Sequence, residues 1–159
     1  SCGIIRSMFE IRPARQNDFP AIRSLVRRVK INPLHLDWRR FIVAVAAEEA
    51  LIGCGQIKPH RDGSMELASI AVAPEWRHQG VARTIINHLL ANHSGRLYLT
   101  CRASLEAFYA KFALRTVAED AMPEYFRRVS RLFRVLYRLN LIDERLLVML
   151  RDESQPARF

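Results

Sequence analysis

The chain has 159 residues, half of them hydrophobic, with 25 lysines and arginines against 16 acidic residues and a formal net charge of +9. That length supports one well-formed core and is short for two, so a single domain over 8–151 is expected, with 1–7 as an N-terminal extension and 152–159 as a tail. No apolar run reaches the roughly 18 residues of a membrane span, the opening residues lack a signal peptide's layout, and the basic balance favours acidic partners without specifying one.

In chain order, 9–12 alternates as a strand, and Asn17 or Asp18 can cap a helix whose apolar positions are Phe19, Ile22, Leu25, Val26 and Val29. The segment 31–38 reads as irregular or briefly helical. Segments 40–46 and 51–57 are rich in β-formers and are separated by Ala47-Glu-Glu-Ala50, the pattern of an antiparallel hairpin. A second turn is expected at His60-Arg-Asp-Gly63, then a strand over 65–73, then a tight Arg/Gly turn. A helix follows in which Val81, Ala82, Ile85, Ile86, Leu89 and Leu90 keep one apolar face and Arg83, Thr84, Asn87 and His88 point away; it stops at Asn92-His-Ser-Gly95. With a buried-type strand at 96–100 this makes a strand–helix–strand unit. Ser104 can cap a further helix containing Leu105, Phe108, Tyr109 and Phe112, and strands are expected at 114–118 and 146–150.

One segment stands apart. From Pro123 to Leu139, Phe126, Val129, Leu132 or Phe133, Leu136 and Leu139 fall at helical spacing, with Arg127, Arg128, Arg131, Arg134 and Arg138 mostly on the complement. The reading is an amphipathic helix whose apolar stripe covers a sheet or makes a homodimer contact. No internal repeat is present.

Cys2, Cys54 and Cys101 are odd in number and scattered, without the spacing of a zinc site or a disulfide framework, which fits a reducing cytoplasmic compartment. His35, His60, His78, His88 and His93 show no metal-ligand pattern; solvent-facing or loop positions are expected for each, and no metal.

The turn before the second long helix carries the chemistry. A helix N-terminus offers amides without intrahelical partners and the positive end of the macrodipole, so it accepts a pyrophosphate, and Gly80 lets backbone approach closely. The sequence holds neither G-x-x-x-x-G-K-[ST] nor G-x-G-x-x-G. Arg77-His78-Gln79-Gly80-Val81-Ala82 instead resembles the R/Q-x-x-G-x-G/A signature of the GNAT N-acetyltransferase superfamily, and similarity runs from Phe9-Glu-Ile-Arg-Pro-Ala14 through Leu105-Glu-Ala-Phe-Tyr-Ala-Lys-Phe-Ala-Leu114.

The resemblance implies an α/β (α+β) fold: a mixed, mostly antiparallel central sheet flanked by helices, with a splayed strand pair at the CoA site. It also implies acetyl-CoA as cosubstrate, its pyrophosphate on Arg77, His78, Gln79, Gly80, Val81 and Ala82 and its pantetheine arm along Ile70, Ala71 and Val72. Tyr109 falls at the family's tyrosine that protonates the departing CoA sulfur, with a core aromatic as the alternative. Glu66 matches the strand glutamate that some members use as a base. Period-two alternation groups it with Ala68, Ile70 and Val72, beside an apolar face where a carboxylate loses solvation, or else it stands in solvent at the strand's start.

Some positions depart from the family's pattern. Arg102 replaces an asparagine that contacts the cofactor arm and can meet a phosphate instead. Ala113-Leu114 replaces a Gly-Phe pair, so a left-handed turn residue is missing. The segment 37–41 either lines the acceptor cleft or is loop packing, and Cys101 has no histidine placed as its base. The activity implied is transfer of an acetyl group to a primary amine, on a small molecule or a protein, by direct attack in a ternary complex. No specific nucleic acid is indicated. The alternative is a CoA-binding regulatory module whose Arg-rich helix contacts an anionic partner.

Overall fold

The computed structural model describes residues 8–152, so the expected extension at 1–7 and all of the tail after Asp152 lie outside the described residues. It has seven strands, hydrogen-bonded in the order β1-β2-β3-β4-β5-β7-β6, and four α-helices: a mixed α/β fold with a mostly antiparallel sheet. No helix among the described residues is long and apolar enough to cross a membrane. The backbone divides into two compact units, the first comprising the chain to Ile57 plus Ser69–His93, the second Lys58–Ala68 plus the chain from Ser94.

In the first unit, β1 (Glu10–Pro13) pairs antiparallel with β2 (Phe41–Val45), which pairs with the start of β3 (Leu51–Pro59). Between them α1 (Phe19–Arg28) buries Ile22, Leu25 and Val26, three of the five apolar positions its spacing predicted. These residues join Phe41, Val43, Val45, Cys54, Ala71 and Ala73 in one cluster. Asp18 is the N-cap of α1 but caps nothing with its side chain there; its carboxylate takes the Arg15 N–H at 2.6 Å and pairs with Arg12 at 2.7 Å. In segment 37–41 Asp37 accepts the Arg39 N–H, the Arg39 guanidinium lies over Trp38, and Phe41 enters the core.

The far end of this unit is β4 (Met65–Val72) leading through a short 3-10 turn (Pro74–Trp76) into α2 (Val81–Ala91). Within β4, Ser69 holds φ 58. A left-handed residue interrupts a strand's two-residue alternation, so the grouping of Glu66 with Ile70 and Val72 does not carry across it. The fully buried Gln56 supports this irregularity by donating from Nε2 to Ser69 Oγ at 2.9 Å.

In the second unit, the start of β4 pairs with β5 (Leu97–Arg102) in parallel, with one residue pair in register, Glu66 opposite Tyr98, as the splayed pair of the expected fold requires. Strand β7 (Leu146–Arg151) pairs antiparallel with β5 over six residue pairs and with β6 (Arg115–Thr116) over two. Helix α3 (Glu106–Ala110) is shorter than its apolar spacing suggested, and Ser104 does not cap it: Leu105 holds the cap position and the Ser104 N–H donates to the Glu144 carboxylate instead. The expected strand at 114–118 shrinks to the two residues of β6. Ala113 adopts φ 63, so the left-handed turn is made without glycine. Helix α4 (Glu124–Arg138) matches the predicted amphipathic segment and buries Phe126 with Tyr98, Val117, Met122, Val148 and Leu150.

Candidate active site

The turn in the first unit is built around two left-handed residues, His78 at φ 62 and Gly80 at φ 81, and Gly80 is the N-cap of α2. The first helical hydrogen bond runs from the Thr84 N–H to the Gly80 carbonyl at 3.0 Å, and the Thr84 hydroxyl donates to the same oxygen at 2.7 Å. The amides of 81–83 therefore precede any intrahelical acceptor and carry the positive end of the dipole. Arg77, His78, Gln79 and Gly80 are exposed, whereas Val81 is buried and roots the helix. A Cβ on Gly80 would meet nothing within 4 Å, so the space over the turn is open. Glu75 ties the turn to α1 through an ion pair with Arg28 at 2.7 Å, and its backbone carbonyl accepts from Gln79 Nε2. Ala82, half-buried, and the β4 residues Ile70, Ala71 and Val72 complete the expected cofactor set in this unit, Ala71 buried and its two neighbours half-buried.

In the second unit Glu66 is buried, which decides between the two environments its strand-start position allowed. Its Oε2 lies 2.7 Å from His60 Nε2 and 3.9 Å from Lys58 Nζ, with the three side chains 8%, 10% and 9% exposed respectively. A carboxylate only accepts, so the imidazole Nε2–H donates to it. The His60 ring stacks on Tyr125 at 3.5 Å and 16° and meets Phe126 edge-on at 5.6 Å, both from α4. Asp62 fixes the hairpin tip by accepting the N–H groups of Ser64 and Tyr125, each at 2.9 Å. Burial opposes ionisation of Asp62, yet the Ser64 and Tyr125 hydrogen bonds prevail and hold it below the ordinary range for an aspartate.

His60 is thus a loop histidine but not a solvent-facing one. Neither it nor Lys58 nor Tyr125 was picked out by the sequence. The signal was the turn itself: the His60 N–H donates to the Ser64 carbonyl at 2.9 Å, and Lys58 and Glu66, each two residues further from the turn, come within 3.9 Å of each other.

Tyr109 is half-buried on α3, edge-on to Phe108 at 5.0 Å. Loss of solvation, aided by the charge Cys101 would carry, pushes its phenol up to about 12, so the proton stays on the oxygen at neutral pH. Cys101 is buried, its thiol pushed up to about 11 by desolvation and then by Glu106 and Glu144; it donates to Met149 Sδ at 3.7 Å and is not a thiolate nucleophile. Arg102 stands exposed at the end of β5. On α4, Arg128 pairs with Glu124, Arg131 and Arg134 pair with Glu119, and Arg127 donates to the carbonyls of Glu119 and Met122.

Comparison with known proteins matches residues 8–114 to the acetyltransferase (GNAT) family. No curated protein matches the sequence. Similar solved structures include N-acetylglutamate synthase from Neisseria gonorrhoeae complexed with coenzyme A and N-acetyl-glutamate, at 22% identity and TM-score 0.68 over 92% of this chain and 35% of that one. Rv2747 from Mycobacterium tuberculosis, in complex with CoA and NLQ, gives 21% identity and TM-score 0.68 over 90% and 98% of the two chains. The ribosomal-protein-S18-alanine N-acetyltransferase of Escherichia coli gives 16% and 0.62 over 95% and 97%. At these identities the likeness shows the fold, and the chain spans about a third of the N-acetylglutamate synthase chains it matches.

Proposed function

Because the chain belongs to the GNAT acetyltransferase family, we propose that it transfers an acetyl group from acetyl-CoA to a primary amine by direct attack in a ternary complex. The observation that carries this reading is the open, glycine-capped start of α2, where unpartnered amides and the helix dipole suit a diphosphate. Pantetheine pairs along Ile70, Ala71 and Val72, and Arg102 supplies a cation to a phosphate. The neutral amine attacks the thioester carbonyl to form the C–N bond, the C–S bond breaks, the CoA thiolate takes the Tyr109 proton, and the proton that the new amide nitrogen sheds restores the phenol. Glu66 accepts the proton that the substrate ammonium must lose before attack. The buried His60 contact fixes which of its oxygens is engaged and leaves Oε1 for the substrate. The coenzyme A complexes of two of the compared proteins support the cosubstrate.

The anionic-partner reading of α4 gains nothing from the structure, since four of its five predicted arginines are already engaged by Glu119, Glu124 and backbone carbonyls. The test is an assay of CoA release with acetyl-CoA and a panel of amines, in wild type and Tyr109→Phe. The variant should keep CoA affinity and lose about 100-fold in kcat, within the usual range for a general acid. Unchanged turnover removes Tyr109 from the proton-donor role.

A further inference from the structure

Lys58 is a buried cation of the second unit whose one ion pair, with Glu66, is long. Its side chain is nine-tenths buried, yet its ammonium makes no hydrogen bond among the described residues; the nearest acceptor is Glu66 Oε2 at 3.9 Å, beyond hydrogen-bond reach and already engaged by His60 at 2.7 Å. Three donors on a desolvated cation call for an anion with good geometry. Nor is Nζ sealed in: it is not among the buried polar atoms without a partner, which are Arg12 Nε, Gln56 Oε1, His93 Nε2 and Arg151 Nη1.

The other charges near it do not supply that anion. Asp62 is committed to Ser64 and the Tyr125 N–H, and Glu66 has one oxygen left, which the reading above assigns to the substrate amine. The cluster therefore presents an anion and a cation side by side, 3.9 Å apart, with one acceptor and one set of donors free.

We propose that the acceptor carries a carboxylate adjacent to its amine, as a free α-amino acid does, and that Lys58 Nζ binds this carboxylate. The inference rests on Glu66 facing the acceptor amine. One carbon separates amine and carboxylate in an α-amino acid, so the two groups of the zwitterion meet the two opposite charges of the cluster. A polyamine would instead bring a second cation up to Lys58 and His60, and a peptide N-terminus has an amide where the carboxylate should be.

The experiment is the CoA-release assay with free L-amino acids, their α-amides and their decarboxylated amines, in wild type, Lys58→Met and Lys58→Arg. In wild type the free acids should have KM values about tenfold or more below those of the amides, the scale of one charge-assisted hydrogen bond. Lys58→Met should erase that difference while leaving KM for acetyl-CoA unchanged, and Lys58→Arg should restore it. Amides or simple amines accepted as well as the acids by wild type would overturn the proposal, whatever the variants do. So would an unchanged acid-to-amide ratio in Lys58→Met. If no amine is acetylated although CoA binds, the transferase reading itself fails. Calorimetric titration of the same acids and amides into the CoA complex then reads the carboxylate site directly, equal affinities overturning it.

Discussion

Glu66 and Tyr109 were singled out by resemblance to family positions on either side of the Arg/Gly turn, and their roles are those of the proposed function. His60 was not, because its role arises through space. It gains its meaning only when the hairpin closes at Ser64 and when Tyr125, 65 positions further on, lays its ring against the imidazole. His60 Nε2 lies 2.7 Å from Glu66 Oε2, so under the proposed function it positions that carboxylate. His60→Phe keeps a ring for the Tyr125 stack and removes the donor, so kcat for acetyl transfer should fall about tenfold with little change in KM for acetyl-CoA. In a Glu66→Gln background the same change should have no further effect, which a double-mutant cycle measures. Multiplicative losses would show that the two residues act independently. Ala113 is the converse case. The sequence lacks the glycine expected at that turn, and the chain adopts φ 63 there regardless, at a strain of about 1 kcal/mol.

At the scale of elements, α2 and α4 were both legible as helices from apolar spacing, but α2 buries four of its six expected apolar positions, Val81, Ile85, Ile86 and Leu89, and α4 buries only Phe126 and leaves Leu132 and Leu139 exposed. Strand interiors were less legible. The left-handed Ser69 within β4 leaves no mark that propensity can read, and its support comes from Gln56 on another strand. The glycines of β3 were likewise uninformative until α2 was in place. A Cβ on Gly55 would lie 2.6 Å from Ile70 Cδ1 and 2.8 Å from Ile85 Cγ2, so β3 needs glycine there for the helix to seat. Gly55→Ala should cost about 1–3 kcal/mol of folding stability through overpacking, measured by urea denaturation. A variant as stable as wild type would mean that Ile70 and Ile85 yield without cost. Helix α4 shows how a correct element can mislead about its use. Its arginines suggest a basic face in sequence, but Glu119, five residues ahead of the helix, takes two of them.

Across the whole molecule, the family, the mixed, mostly antiparallel sheet and the Arg/Gly turn were all implied by one motif and its flanks, whereas the strand order and the ion pairs were not. The chain carries a net charge of +9, yet Asp18, Asp62, Glu75, Glu119 and Glu144 are all held below their ordinary values. For Asp18 the chief cause is the Arg12 hydrogen bond, for Glu75 the one from Arg28, for Glu119 that from Arg131, and for Glu144 that from Ser104. Each group binds a proton more readily when unfolded, so its contribution is complete above the ordinary values of 3.8 and 4.5 and is lost as pH falls through the lower folded ones. The urea midpoint should accordingly be flat near neutrality and drop as pH is lowered below about 4. A midpoint that holds or rises there would contradict these assignments.

The account depends most on the start of α2 as the seat of a diphosphate, and a crystal structure of the protein with CoA tests that directly. The expected result is the diphosphate within hydrogen-bonding distance of the amides around Gly80, Val81 and Ala82, over the open space where a Cβ on Gly80 would meet nothing. CoA bound with its diphosphate elsewhere, the turn unengaged, would contradict it.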